Sequence, residues 1–197
     1  EYKRYLMYLK KIGVNTISPN MELWEQKDLE KFCKPSKEDI NIGMTKSEIG
    51  HTGYMDFIRA GIEVFGKYNV RTSLIVGLNS VSSVKEAIKT LIPLGCQVVL
   101  SPFKSPNENF NKFVPKDYEL IELSNYLNTE INNLLSTLSP TVAETYKKRI
   151  YNSLNAHNSH NTANLCCGQD LDFIEQKNLR LGKNIDISTT IDMENER

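Results

Sequence analysis

Three short segments carry the residue types that could grip a ligand: Pro19-Asn20-Met21-Glu22, Val76-Gly77-Leu78-Asn79 and Ser101-Pro102-Phe103. Asn20 and Glu22 are two apart, so an extended chain sends both side chains to one face. An amide beside a carboxylate can hold hydroxyls or an ammonium. Gly77 lets a ligand come close to bare backbone. Pro102 and Phe103 offer a rigid, flat apolar edge for a ring. A polar grip, an exposed backbone and an aromatic edge together suit a nucleoside, whereas each alone is an ordinary strand-to-helix turn.

The other reactive side chains are less telling. His157, His160, Cys166 and Cys167 are of metal-ligand type. Their spacing fits no structural zinc pattern, and adjacent cysteines tend to diverge. A solvated Asn/His loop with a thiol pair is the favoured reading. Cys33 is isolated on a helix or loop, and Cys96 opens an apolar run where packing explains it. His51 reads as a turn residue before a helix, although it could face a ligand. Arg59 reads as a solvated or structural charge, and Arg71 is ambiguous.

The elements that must position these residues show in the hydrophobic pattern. Tyr2, Tyr5, Leu6, Leu9 and Ile12 repeat at helical spacing, and Gly13 suits the helix stop. Val14–Ser18 predicts a buried strand closed by Pro19. Glu25–Phe32 predicts a short helix, followed by a polar loop over Lys34–Met44. Tyr54–Phe65 is the best helix, with Gly66 at its end. Val70–Val76 is a strand. Ser80–Leu94 is a helix that Ser82 or Ser83 can cap and Gly95 ends. Cys96–Leu100 is a third strand. Alternating helices and strands that look apolar on both faces predict parallel pairing, in a doubly wound sheet or a (β/α) barrel. In such folds ligands sit at the carboxyl ends of strands, where the three segments fall.

After a Pro- and Asn-rich loop over Lys104–Asn111 the pattern turns helical. Long apolar stripes run over Tyr118–Leu138 and from Pro140 to Leu154, serving a core or a partner, with the core favoured. Leu171–Leu181 is a further helix candidate before a polar, flexible tail. The chain is thus read as a β/α portion over 1–110 and a helical region over 111–197.

The stretch from Tyr5 to Phe110 resembles the second half of the barrel of radical S-adenosylmethionine enzymes, in their biotin synthase-like branch. The resemblance rests on Lys11-Ile12-Gly13-Val14 leading to Asn20-Met21-Glu22, on Tyr54 opening a helix that ends in Val64-Phe65-Gly66, on Ser73 to Leu78, and on Leu100 to Phe103. It implies an α/β fold, a partial (β/α) TIM-type barrel with parallel strands and a mostly helical C-terminal region. Asn20 and Glu22 would hold the ribose of S-adenosylmethionine. Ile75, Val76, Gly77 and the strand-end residues Leu100, Pro102 and Phe103 would flank its adenine. Asn79 stands where the family usually has an acidic residue, keeping a hydrogen-bonding side chain without the charge. Family members cleave S-adenosylmethionine reductively at a [4Fe–4S] cluster to give a 5′-deoxyadenosyl radical. The three cysteines of C-x-x-x-C-x-x-C that hold the cluster are absent from this chain. The expectation is therefore a piece of a longer enzyme, working with an N-terminal half of the barrel and not competent alone. Its substrate, a small molecule or a peptide, is not readable. A degenerate or different (β/α) barrel, acting as a scaffold or a non-radical enzyme, is the alternative; strand ends without a Lys or a Gly-rich phosphate loop fit other barrel enzymes less well.

Bulk composition narrows the partners. Of 197 residues, 24 are Lys or Arg and 24 are Asp or Glu, so the net charge is zero, without the basic excess expected of a protein that binds a nucleic-acid backbone. No apolar run approaches the roughly 18 residues of a membrane span. Four cysteines with no disulfide-like spacing make the cytoplasm the expected compartment.

Overall fold

A computed structural model describes residues 2–33 and 45–159, with side chains through residue 150. Helix α1 spans Tyr2–Lys11, α2 Gln26–Phe32 and α3 Lys46–Phe65; strand β1 (Val70–Val76), helix α4 (Val81–Leu94) and strand β2 (Cys96–Pro102) follow. A 3-10 helix over Glu108–Phe113, α5 (Asp117–Ser136) and α6 (Pro140–Ser159) complete the order. The protein is α/β and mostly helical, with a two-stranded parallel sheet of β1 and β2. The chain divides into two compact units, Glu1–Ser101 and Pro102–Arg197.

In the first unit the expected strand over Val14–Ser18 forms only two isolated parallel bridges to β1, Ile17 to Val70 and Glu22 to Leu74. The cause is local. Five steps separate the bridged residues on one side and four on the other, so one extra residue bulges out. Pro19 lies in the gap and has no N–H to donate. The Thr72 hydroxyl patches the break: it accepts from the Met21 N–H at 3.0 Å and donates to the Pro19 carbonyl at 2.9 Å. Thr72 is fully buried, so both backbone groups would otherwise be stranded. Thr72→Val is expected to destabilise the protein by roughly 2 kcal/mol, with Thr72→Ser close to wild type. Urea unfolding of the two variants checks this, and equal midpoints would show that the patch contributes nothing.

The sheet is covered by helices built as their stripes require. Val84, Ala87, Ile88, Leu91 and Ile92 of α4 are all buried. Ser80, not Ser82 or Ser83, is its N-cap, with the Ser80 hydroxyl accepting from the Ser83 N–H at 3.1 Å. Helix α3 buries Tyr54, Ile58 and Phe65. At Gly61 a Cβ would come within 2.9 Å of Ile17 and 3.2 Å of Val70, so only glycine lets α3 lie this close to the bridged segment and β1. Tyr68, fully buried at φ 62, is held in that uncommon conformation by its N–H on the Gly95 carbonyl at 2.6 Å and its hydroxyl on the Ile92 carbonyl at 3.1 Å. Helix α1 differs from its stripe: Leu6 is fully buried, whereas Tyr5 and Ile12 are exposed. It is tied to α3 by Tyr2 edge-on to Phe57 at 5.3 Å and by Lys3 to Glu63 at 2.8 Å.

Helix α3 begins eight residues before the expected Tyr54, at Lys46. Thr45 caps it in a reciprocal pair with Glu48, a start signal that precedes the apolar stripe. Gly50 breaks the helix at φ 64. Gln26 of α2 bridges the break, donating to the Ser47 carbonyl at 3.3 Å and accepting from the His51 N–H at 3.0 Å. A Cβ on Gly50 would meet that Gln26 oxygen at 2.7 Å, so the glycine makes room for its own repair.

In the second unit α5 buries Ile121, Leu123 and Leu127, and α6 buries Ile150 while Val142 stays exposed. Pro140 opens α6, where a missing N–H costs nothing. The expected loop over Lys104–Asn111 is partly 3-10 helix. The expected helix over Leu171–Leu181, the polar tail and the loop from Lys34 to Met44 lie outside the described residues.

Candidate functional site

The candidate residues of the first unit gather where the bridged segment and β1 run out. The Glu22 N–H donates to the Ser73 carbonyl at 2.8 Å, and the Ile75 N–H donates to the Glu22 carbonyl at 2.9 Å. Glu22 is therefore locked opposite Leu74, between Ser73 and Ile75. The chain then turns through Gly77, at φ 102, a conformation costly for any residue with a Cβ. The Asn79 N–H closes the turn on the Ile75 carbonyl at 3.1 Å. Ile75 and Gly77 are half-buried, Val76 buried. On the neighbouring strand the Ser73 and Ser101 hydroxyls meet at 2.7 Å inside the core. Half-buried Leu100 lies one residue before that contact.

The simple alternation expected of Asn20 and Glu22 is broken. Glu22 has φ 69, rare for a residue with a side chain, so the segment is not regularly extended there. What unites the two is Lys46. Its ammonium lies 2.6 Å from Glu22 Oε2 and 3.4 Å from the Asn20 carbonyl oxygen. The Asn20 side-chain oxygen accepts from Ser18 Oγ at 2.8 Å. Among the described residues, Asn20 Nδ2 and Glu22 Oε1 have no partner. The segment thus carries one donor and one acceptor without a partner among the described residues, the two kinds of group that a hydroxyl can bond.

Asn79 is turned inward. It is 3% exposed. Its Oδ1 accepts from the Trp24 N–H at 2.7 Å, and its Nδ2 donates to the Glu22 and Ile75 carbonyls at 2.8 Å each. The side chain stitches the two strand ends together, with both amide hydrogens spent. An ionised carboxylate, which only accepts, could not make these bonds; that is a physical reason for an amide here.

Around this end sit groups that sequence spacing did not single out. Tyr54 is buried, and its hydroxyl has no hydrogen-bond partner among the described residues. Burial, then Glu22 and Cys33, push its pKa up, so it stays a neutral phenol. Cys33 caps the end of α2. Burial raises its thiol pKa, opposed by Lys46 and reinforced by Glu22, so no reactive thiolate forms. Lys46 itself is 24 residues from Glu22 in sequence, and no spacing rule links them. The Thr45-x-x-Glu48 capping box was the one available sign that a helix would start there and present it.

His51 does not lie in a turn. It follows the Gly50 break inside α3 with its ring edge-on to Trp24 at 4.5 Å. Burial pulls its pKa down, partly countered by Glu86 and Glu25, so it is neutral at pH 7. Arg59 is an exposed charge paired with Asp56 at 3.4 Å. Cys96 is fully buried, and burial pushes its thiol up to about 12, consistent with a packing role.

Pro102 and Phe103 fall in the second unit, where the Phe103 ring stands edge-on to Phe113 at 6.3 Å. Among the described residues no group of three or more His, Cys, Asp or Glu could hold a metal ion. The residues described on this chain do not fit an iron–sulfur cluster. His157 lies in α6 without a described side chain, and His160, Cys166 and Cys167 lie outside the described residues. Among the described residues no helix is long and apolar enough to cross a membrane. No family model, curated protein or solved structure matches the chain.

Proposed function

We propose that the first unit is the S-adenosylmethionine-binding half of a radical enzyme, completing a (β/α) barrel in the cytoplasm with a second half that carries the cluster cysteines. The observation that supports this reading is the parallel alignment of the bridged segment with β1, which sets Glu22 opposite Leu74 and bonds its carbonyl to the Ile75 N–H at their common carboxyl end. Among the described residues that end offers a carboxylate oxygen and an amide donor without partners for a ribose diol, and half-buried Ile75 and the backbone of Gly77 would take a flat base. Barrel ligands bind at this end of the strands. Leu100 would extend the apolar flank from β2. Asn79 would position the site from behind rather than touch the ligand.

The partner half supplies the [4Fe–4S] cluster, whose chemistry is reductive cleavage of S-adenosylmethionine to a 5′-deoxyadenosyl radical. This chain contributes the grip on the nucleoside. Titration calorimetry with S-adenosylmethionine and with adenosine, on the chain alone and with a C-x-x-x-C-x-x-C-bearing partner half, tests the reading. Saturable binding of both is expected, tighter with the partner present. No binding of either probe in either setting would overturn it and leave a scaffold role.

A further inference from the structure

Glu22 is held at every point but one. Its backbone N–H and carbonyl are bonded to β1, and Asn79 adds a second bond to the carbonyl. Its Oε2 is taken by Lys46, while Oε1 is free among the described residues. Both side chains are about one-third exposed, at 32% for Glu22 and 34% for Lys46, so the pair meets solvent without dissolving into it.

The place of Lys46 is unusual on its own terms. It is the first residue of α3, directly after the Thr45 cap. A cation at a helix N-terminus is opposed by the helix dipole, so a lysine there needs a specific partner to offset that cost. Its ammonium reaches across to both residues of the proposed grip, Glu22 Oε2 and the Asn20 carbonyl. The turn bearing it is itself pinned, by Gln26 on the Ser47 carbonyl and by Ser47 Oγ on the Cys33 carbonyl at 3.1 Å.

Resting on the nucleoside reading above, we propose that Lys46 is a positioning residue: it fixes the Glu22 carboxylate so that Glu22 Oε1 faces a ligand diol, and it does not bind the ligand itself. A carboxylate with one oxygen tethered loses less rotamer freedom on binding than a free one.

The test is a double-mutant cycle read by titration calorimetry on the whole chain, with adenosine and S-adenosylmethionine as probes. Lys46→Met keeps the aliphatic stem and removes the charge. It is expected to weaken both probes equally, by about fivefold, and Lys46→Arg to recover most of the loss. In a Glu22→Gln background Lys46→Met should change nothing further, because its effect passes through Glu22. A loss confined to S-adenosylmethionine would mean that Lys46 holds the ligand's carboxylate, and would overturn the proposal. So would unchanged or tighter binding, or a loss that persists without the Glu22 charge. Failure of the wild-type chain and the variants to bind either probe, alone and with the C-x-x-x-C-x-x-C-bearing partner half, would overturn the nucleoside reading, and this inference with it; wild-type binding separates the two failures.

Discussion

Asn79→Asp will destabilise the first unit by roughly 3 kcal/mol at pH 7, although it replaces only an amide nitrogen by an oxygen. The wild-type amide accepts from Trp24 and donates to the Glu22 and Ile75 carbonyls in a buried setting. An aspartate keeps the acceptor but turns two donations into two oxygen–oxygen oppositions. The pH dependence has a definite sign. The buried carboxyl introduced by the substitution would have a folded pKa above its unfolded value of about 3.9. Between those two values the folded state binds more protons than the unfolded one, so stability falls as pH rises through the window. The deficit against wild type should therefore be largest at neutral pH and shrink toward pH 4. Urea unfolding of both proteins across that range reads it directly. A variant as stable as wild type at pH 7 would mean that the stitch between the strand ends carries no weight.

Glu22→Gln will weaken adenosine binding by roughly ten- to a hundredfold while leaving the fold in place. The amide keeps the side chain's shape but loses the charge that makes a hydroxyl-to-carboxylate bond strong. The fold should tolerate the change, because the backbone of Glu22 stays bonded to Ser73 and Ile75 and a part-exposed ion pair contributes at most about 1 kcal/mol. Calorimetry gives the affinity, and a thermal scan gives the stability. Equal affinity for the two proteins would show that the nucleoside grip has been placed on the wrong carboxylate.

Much of this fold is written in local pattern. The α4 stripe, Val84 to Ile92, is buried residue for residue, because a 3.6-residue repeat forces one face inward whatever the neighbours are. Strands at Val70 and Cys96 are equally plain, since short apolar β-branched runs between helix stops have few other uses. Gly66 and Gly95 close helices at positive φ, as a residue without a Cβ permits. The bridged segment shows where local reading fails. Val14 to Ser18 has the composition of a strand, yet its pairing is interrupted by Pro19 and a bulge, and its continuity depends on Thr72 of β1. Helix α1 is a second case: its apolar period is real, but Tyr5 and Ile12 remain exposed, because periodicity fixes a face and not its cover.

The candidate site divides along the same line. Which side chains sit at strand ends, and what each can donate or accept, follows from residue order, because chemistry of this kind belongs to the residue and its neighbours. Asn20, Glu22 and Gly77 were legible for that reason. Only the tertiary structure decided which of those groups are spent and which are free. It turned Asn79 into the core, put Lys46 on Glu22, and left Glu22 Oε1 and Asn20 Nδ2 open among the described residues. Those outcomes join residues 24 to 57 positions apart, and contacts at that range are set by how α3 and β1 pack, which no spacing along the chain records.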